Sequence, residues 1–176
     1  LLTRYIGGGF GGKGQAYDDL VLAALGAQAL GRPVKLAYTR QQMFQATIHR
    51  PAVSMRVRLG AEPDGRLNAF AVEAITHCAR SAPFVEHAAN FSRNLYAAPN
   101  RLTGHRLVKM DIPHAGPMRA PGEAPGMLSL ECAMDELAEK LGIDPIELRL
   151  RNEPDVDPET GKPFSIRQLT ECLNTG

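Results

Sequence analysis

Gly7-Gly8-Gly9-Phe10-Gly11-Gly12-Lys13-Gly14 is the stretch from which the rest of the chain is read. Six of its eight residues are glycine, the residue that loses most conformational entropy on folding. A run like this is kept where backbone must take left-handed angles or come very close to something else. Arg4-Tyr5-Ile6 before it reads as a strand end, and residues 15–30 after it read as a helix. Strand, glycine loop and helix N-terminus together predict an anion site, with free N–H groups and the positive end of the helix dipole. Three readings of the loop stay open. Gly7, Gly12 and Lys13 fit a phosphate loop, but Gly14 stands where a hydroxyl should hold magnesium. Gly7, Gly9 and Gly12 fit a dinucleotide fingerprint, but the following strand, residues 34–38, ends in Thr39-Arg40 without a ribose-binding acid. The third reading is a loop for another phosphate-bearing cofactor. A plain surface turn is the alternative to all three, and the central Phe10 and terminal Lys13 speak against it.

A second unusual stretch is Pro113-His114-Ala115-Gly116-Pro117-Met118-Arg119-Ala120-Pro121-Gly122-Glu123-Ala124-Pro125, with four prolines and two glycines in thirteen residues. Proline fixes the backbone and removes donors. The loop is therefore stiff and presents Arg119 in a preset direction. A helix follows, with Met127, Leu130, Met134, Leu137 and Leu141 at alternating spacings of three and four. That seam reads as core, and neither methionine is taken as a metal ligand. Gly142 closes the helix. Asp144-Pro145-Ile146-Glu147 starts another with a cap, a first-turn proline and a capping-box glutamate, and Ser165-Ile166-Arg167-Gln168 starts a last short one.

Between the two loops, Ala16, Leu20, Ala23, Ala24, Ala27 and Leu30 give the first helix a small-residue face suited to lying close on a sheet, and Gly31-Arg32-Pro33 ends it. Residues 34–38 alternate as a strand, and Thr39 caps a short helix over residues 39–44. Residues 53–59 alternate cleanly, Glu62-Pro63-Asp64-Gly65 is a turn, and residues 66–76 return as the partner strand. A short helix is expected over residues 85–92 and a strand over residues 102–109. The fold class is α+β: a mixed sheet with one β-hairpin and helices packed on a face.

The chain has 176 residues, enough for one domain with a core. It does not begin with Met and opens inside an apparent strand, so it is expected to be a fragment of a longer chain. Lys plus Arg is 20 and Asp plus Glu is 19, which gives no electrostatic footprint for nucleic acid. No apolar run in this piece approaches a membrane span. Cys78, Cys132 and Cys172 are far apart and read as small buried apolar residues, and the five histidines are scattered. Neither a zinc site nor an iron–sulfur cluster is expected within this piece.

Taken together, Gly7-Gly8-Gly9-Phe10-Gly11-Gly12-Lys13 and Met118-Arg119-Ala120-Pro121-Gly122-Glu123-Ala124-Pro125-Gly126 strongly resemble the molybdenum-binding subunit of the xanthine dehydrogenase and aldehyde oxidase family, closest to bacterial aldehyde oxidoreductases. Glu131-Cys132-Ala133-Met134-Asp135-Glu136-Leu137-Ala138 and the run from Asp144 to Asn152 look like the same family. The resemblance implies that residues 1–176 are part of a molybdopterin-binding domain. It implies a molybdenum hydroxylase acting on an electron-poor carbon of an aldehyde or N-heterocycle. The cofactor would be molybdopterin with molybdenum, in the cytosine dinucleotide form, and electrons would leave through [2Fe-2S] clusters to FAD or another acceptor. The implied partners are the remainder of the molybdenum subunit, an iron–sulfur subunit and an FAD subunit. By the same resemblance Gly9, Phe10, Gly11, Gly12, Arg119 and Ala120 border the cofactor. The backbone of Phe10, Gly11 and Arg119 faces oxygen ligands of the metal, and Arg119 carries the catalytic assignment. The catalytic glutamate of the family has no match here and would lie further toward the C-terminus.

The departures from the family pattern bear on substrate. Where purine-oxidising members carry a glutamate after the glycine loop this chain has Gly14, and where they stack a phenylalanine it has Pro121. The arginine they set against a purine oxygen falls near Glu86. The expectation is therefore an aldehyde or N-heterocycle rather than xanthine. Plainer readings exist for each residue: Arg119 pairing with Glu123, Lys13 as a surface charge, Phe10 as a core plug, Glu123 as an acid favoured at a helix start. Two other functions compete, a P-loop-like nucleotide-binding domain and a non-catalytic docking piece of an oxidoreductase complex.

Overall fold

The computed structural model describes all residues, Leu1–Gly176. The chain forms two compact units. One comprises residues 53–75, 87–106 and 122–176, and the other residues 1–52, 76–86 and 107–121. Six helices and three strands follow in the order α1 (Asp18–Leu30), α2 (Arg40–Ala46), β1 (Val53–Ala61), β2 (Leu67–Ala79), α3 (Ser92–Leu95), β3 (Asn100–Met110), α4 (Glu123–Leu141), α5 (Pro145–Arg151) and α6 (Leu169–Thr175).

The sheet has the order β1-β2-β3. The β1–β2 hairpin closes as the sequence predicts: Gly65 takes φ 88°, and the Glu62 amide donates to the Arg66 carbonyl at 2.8 Å. The β2–β3 pair runs in one direction. Asn100 donates to the Asn68 carbonyl at 3.0 Å, and Arg80 donates to Met110 at 3.1 Å, so starts meet starts and ends meet ends. One antiparallel and one parallel pairing make the sheet mixed, as expected. Along β1 the alternation is realised, with Ser54, Arg56 and Arg58 exposed and the intervening residues half-buried.

The core of the unit containing the hairpin is built from Phe70, Val72 and Ala74 of β2 against Leu130, Met134 and Ala138 of α4, with Leu148 of α5 fully buried. Each large apolar side chain buried here contributes roughly 1.5–3 kcal/mol. The α4 seam is the predicted one in Leu130, Met134, Leu137 and Leu141, joined by the buried Gly126 and Ala138. A Cβ on Gly126 would lie 2.1 Å from the Ala88 carbonyl oxygen, so only glycine allows this approach of helix and chain. Gly142 closes α4 in the left-handed conformation. Asp144 caps α5 by accepting from the amides of Ile146 and Glu147. Glu147 does not complete a capping box and pairs with Arg151 instead. Buried Tyr96 donates to Glu131, which also takes the Arg149 guanidinium at 2.7 Å. Burial and the Glu131 charge together hold the Tyr96 phenol well above its ordinary range.

Several expectations shift. Arg4-Tyr5-Ile6 and residues 34–38 are not strands. Alternation is a side-chain pattern, and a strand also needs a neighbour to take its backbone bonds. The helix expected over residues 85–92 is instead the single turn α3, and the last helix begins at Leu169 rather than Ser165. Helix α1 buries none of its residues, and Val21, Leu22, Leu25 and Leu30 are each more than half exposed. Thr39 caps α2 with a full capping box. Cys78 is buried as expected, whereas Cys132 and Cys172 are exposed. No helix is long and apolar enough to cross a membrane.

Candidate functional site

The glycine loop and residues 113–121 of the second loop belong to the same compact unit, and they touch. The Arg119 amide donates to the Phe10 carbonyl at 2.6 Å. A Cβ on Gly11 would sit 3.6 Å from Arg119 N and 3.7 Å from the Met118 carbonyl carbon. Met118 closes over Gly12, within 3.1 Å of where a Cβ would stand. Gly11 itself has φ 94°, so its lack of a side chain serves both conformation and approach.

Both loop tips are held in an unusual backbone state. Phe10 has φ 51° and Ala120 has φ 53°, and no other non-glycine residue in the chain has positive φ. Left-handed angles cost an L-residue roughly 1–2 kcal/mol. Such angles cluster where surrounding structure over-determines the backbone, as at ligand clamps. Here the two lie on either side of one inter-loop hydrogen bond.

The surrounding bonds show what holds the tips. Within the first loop Gly12 donates to Gly9 at 2.7 Å and Gly14 to Gly11 at 3.2 Å. Lys13 turns its ammonium back onto the Ile6 carbonyl. Helix α1 starts only at Asp18, with Asp18 and Asp19 in its first turn. The glycine loop therefore does not open directly onto a helix N-terminus, and two acids occupy the place where an anion site was expected. The second loop is tied by a parallel bridge between His49 and Ala115: His49 donates to the His114 carbonyl at 3.3 Å and Gly116 donates to the His49 carbonyl at 3.0 Å.

That bridge delivers Arg50, a residue the sequence reading passed over. Its guanidinium donates to Glu86 Oε1 at 2.9 Å, to the Ala120 carbonyl at 3.3 Å and to the Arg119 carbonyl. Glu86 is fully buried and forms one half of an ion pair with Arg50. No local pattern marks Arg50 or Glu86. They meet across 36 positions of sequence, and only the following Pro51, which restricts residue 50 to extended backbone, hints at a fixed geometry.

Of the residues expected at the site, Gly9, Phe10, Gly11, Gly12, Arg119 and Ala120 are brought together. The Arg119 side chain is exposed, and what the contacts engage is its backbone, amide and carbonyl alike. Glu123 lies in the first turn of α4, as an acid at a helix start. Phe10 is 64% exposed and is not a core plug.

Residues 1–153 match the family model described as the molybdopterin cofactor-binding domain. The chain is 48% identical over 178 residues to the aldehyde oxidoreductase molybdenum-binding subunit PaoC of Escherichia coli (strain K12), covering all of this chain and 24% of that protein. It is 34% identical over 182 residues to the aldehyde oxidoreductase of Megalodesulfovibrio gigas, covering 98% of this chain and 20% of that one. Among solved structures, quinoline 2-oxidoreductase from Pseudomonas putida 86 superposes with a TM-score of 0.84 at 27% identity, over 96% of this chain and 23% of that one. Aldehyde oxidoreductase from Desulfovibrio gigas superposes with a TM-score of 0.80 at 32% identity, over 94% and 19% respectively. The chain thus spans about a quarter of the length of PaoC. The family match over most of the sequence leads to one assignment: this chain belongs to the molybdopterin cofactor-binding domain family, within the molybdenum-binding subunits of the xanthine dehydrogenase and aldehyde oxidase type.

Proposed function

We infer that residues 1–176 form part of the molybdopterin-binding domain of a molybdenum hydroxylase acting on an aldehyde or N-heterocycle. The observation that carries this reading is the Arg119–Phe10 bond between two left-handed tips. A trans peptide points its C=O and the following N–H in opposite directions. Because the Phe10 carbonyl is held by Arg119, the Gly11 N–H is aimed away from the joint. The Ala120 N–H is likewise aimed away from the anchored Arg119 carbonyl. An N–H held in this way suits a bound anionic oxygen, since a preorganised donor needs no reorientation to stabilise it. When bound, molybdopterin-held molybdenum supplies the two-electron chemistry and the oxygen that hydroxylation requires. The chain's own part is to border it with the backbone of Gly9, Phe10, Gly11, Gly12, Arg119 and Ala120. In this reading Arg119 acts through main-chain atoms rather than as a side-chain acid or base.

The substrate class follows from what the tips do not offer. Gly14 and Pro121 carry no group to read a purine, and Glu86 is buried against Arg50. The 48% identity to an aldehyde oxidoreductase subunit supports the same choice. The cytosine dinucleotide form of the pterin, an iron–sulfur partner and an FAD partner belong to this proposal.

The test uses the full-length subunit with its co-expressed partners. Molybdenum near one equivalent per subunit, CMP released on acid hydrolysis, and benzaldehyde turnover far above xanthine turnover are the expected results. Comparable turnover of xanthine would overturn the substrate class, and metal-free, inactive complex would overturn the reading itself. The 176-residue piece alone is expected to hold no molybdenum, and stoichiometric metal on it would contradict that.

A further inference from the structure

We propose that Arg50 is a positioning residue for the molybdenum centre, acting by fixing the direction of the Ala120 amide. The inference rests on the functional reading above and goes beyond it, since Arg50 belongs to neither loop. Its guanidinium bonds two successive carbonyls, those of Arg119 and Ala120, while a third contact joins it to the buried carboxylate of Glu86.

The peptide linking Arg119 to Ala120 is trans, so its carbonyl and the Ala120 N–H point to opposite sides. Holding the carbonyl therefore holds the N–H. Ala120 lies at φ 53°, where an L-residue is intrinsically unfavourable by roughly 1–2 kcal/mol. Without an external anchor this peptide could relax by rotating, and rotation would turn the N–H away. Arg50 is suited to prevent this because a planar guanidinium carries several N–H donors in a rigid fork. A lysine ammonium also has three donors, but they rotate freely and lack the planar fork that fixes two carbonyls in direction. Glu86 completes the arrangement. It is fully buried and meets the guanidinium at 2.9 Å, which orients the fork from behind. The first loop needs no such anchor, because the Phe10 carbonyl already receives the Arg119 amide.

The experiment is made on the full-length complex carrying wild-type chain, Arg50→Lys or Glu86→Gln. Arg50→Lys keeps a positive charge opposite Glu86, so it is the variant expected to fold. It should retain molybdenum and melt close to wild type. Its Mo(V) electron paramagnetic resonance spectrum should shift, and kcat should fall by about 100-fold with KM little changed, the lower end of what losing one preorganised donor costs. Glu86→Gln keeps the fork but loosens its backing, and should give a smaller shift in the same direction. A lysine variant with the wild-type spectrum and kcat would overturn the proposal. So would a variant whose only defect is a lowered melting temperature, because that is a purely structural role. A wild-type complex without molybdenum is a separate result, and it would sink the family-level reading on which the inference stands.

Discussion

At the scale of single residues, the chain concentrates its unfavourable backbone at two tips. Ala120 at φ 53° is the more testable. Glycine removes the left-handed penalty but adds chain entropy to the unfolded state, so Ala120→Gly should stay within about 1 kcal/mol of wild type. Valine is β-branched, and Ala120→Val should lose about 1–3 kcal/mol. Thermal melts ranking valine at or above alanine would show that the angle is not left-handed. His105 provides a pH test. Its Nε2 accepts from the Ala89 amide at 3.0 Å. Burial, with the charges of His87 and Arg93, lowers its pKa below the ordinary 6.5. The folded state therefore binds this proton less tightly than the unfolded state does. Stability is complete above the unfolded value and falls as pH drops from 6.5 through the lower folded value. In His105→Gln that part of the acid dependence should vanish, and urea midpoints across pH 7.5 to 5 would show it. An unchanged pH slope would remove His105 from the account. The glycine run and Arg119 were legible at this scale because composition marks them. Arg50 and Glu86 were not, because nothing within a few residues of either predicts a partner 36 positions away.

At the scale of elements, the sequence gives away whatever is local. The β1–β2 hairpin, the Thr39 cap, the Asp144 cap and the seam of α4 all rest on signals within one turn or one strand pair. What failed needed a partner elsewhere: residues 34–38 alternate without a neighbouring strand, and α1 has apolar residues on every side and buries none. Gly126 sets local propensity directly against packing. In a free helix Ala in place of Gly gains about 1 kcal/mol. Here the added Cβ would stand 2.1 Å from the Ala88 oxygen, and overpacking of that kind costs about 3 kcal/mol. Packing should win, so Gly126→Ala is expected to destabilise by about 2 kcal/mol in chemical denaturation. A neutral or stabilised variant would mean that α4 and the segment at Ala88 are further apart.

At the scale of the molecule, remote parts of one unit are joined by single buried side chains. Asn152 accepts from the Leu67 amide at 2.8 Å and donates to the carbonyls of Gly65 and Leu148 at 2.9 and 2.8 Å. It thereby couples the hairpin turn to the end of α5. Asn152→Ala leaves three buried polar groups without partners and should cost about 3 kcal/mol. Asn152→Asp should be worse, because a carboxylate oxygen would face two carbonyls. Equal melting of aspartate variant and wild type would refute this role. The bond between the two loops has a different implication. It uses an amide and a carbonyl, atoms that nearly every amino acid supplies. Descendants of this sequence can therefore exchange the side chains at positions 10 and 119 without unfastening the joint. Proline is ruled out at both positions, at 119 because it has no amide hydrogen and at 10 because its ring cannot take a positive φ.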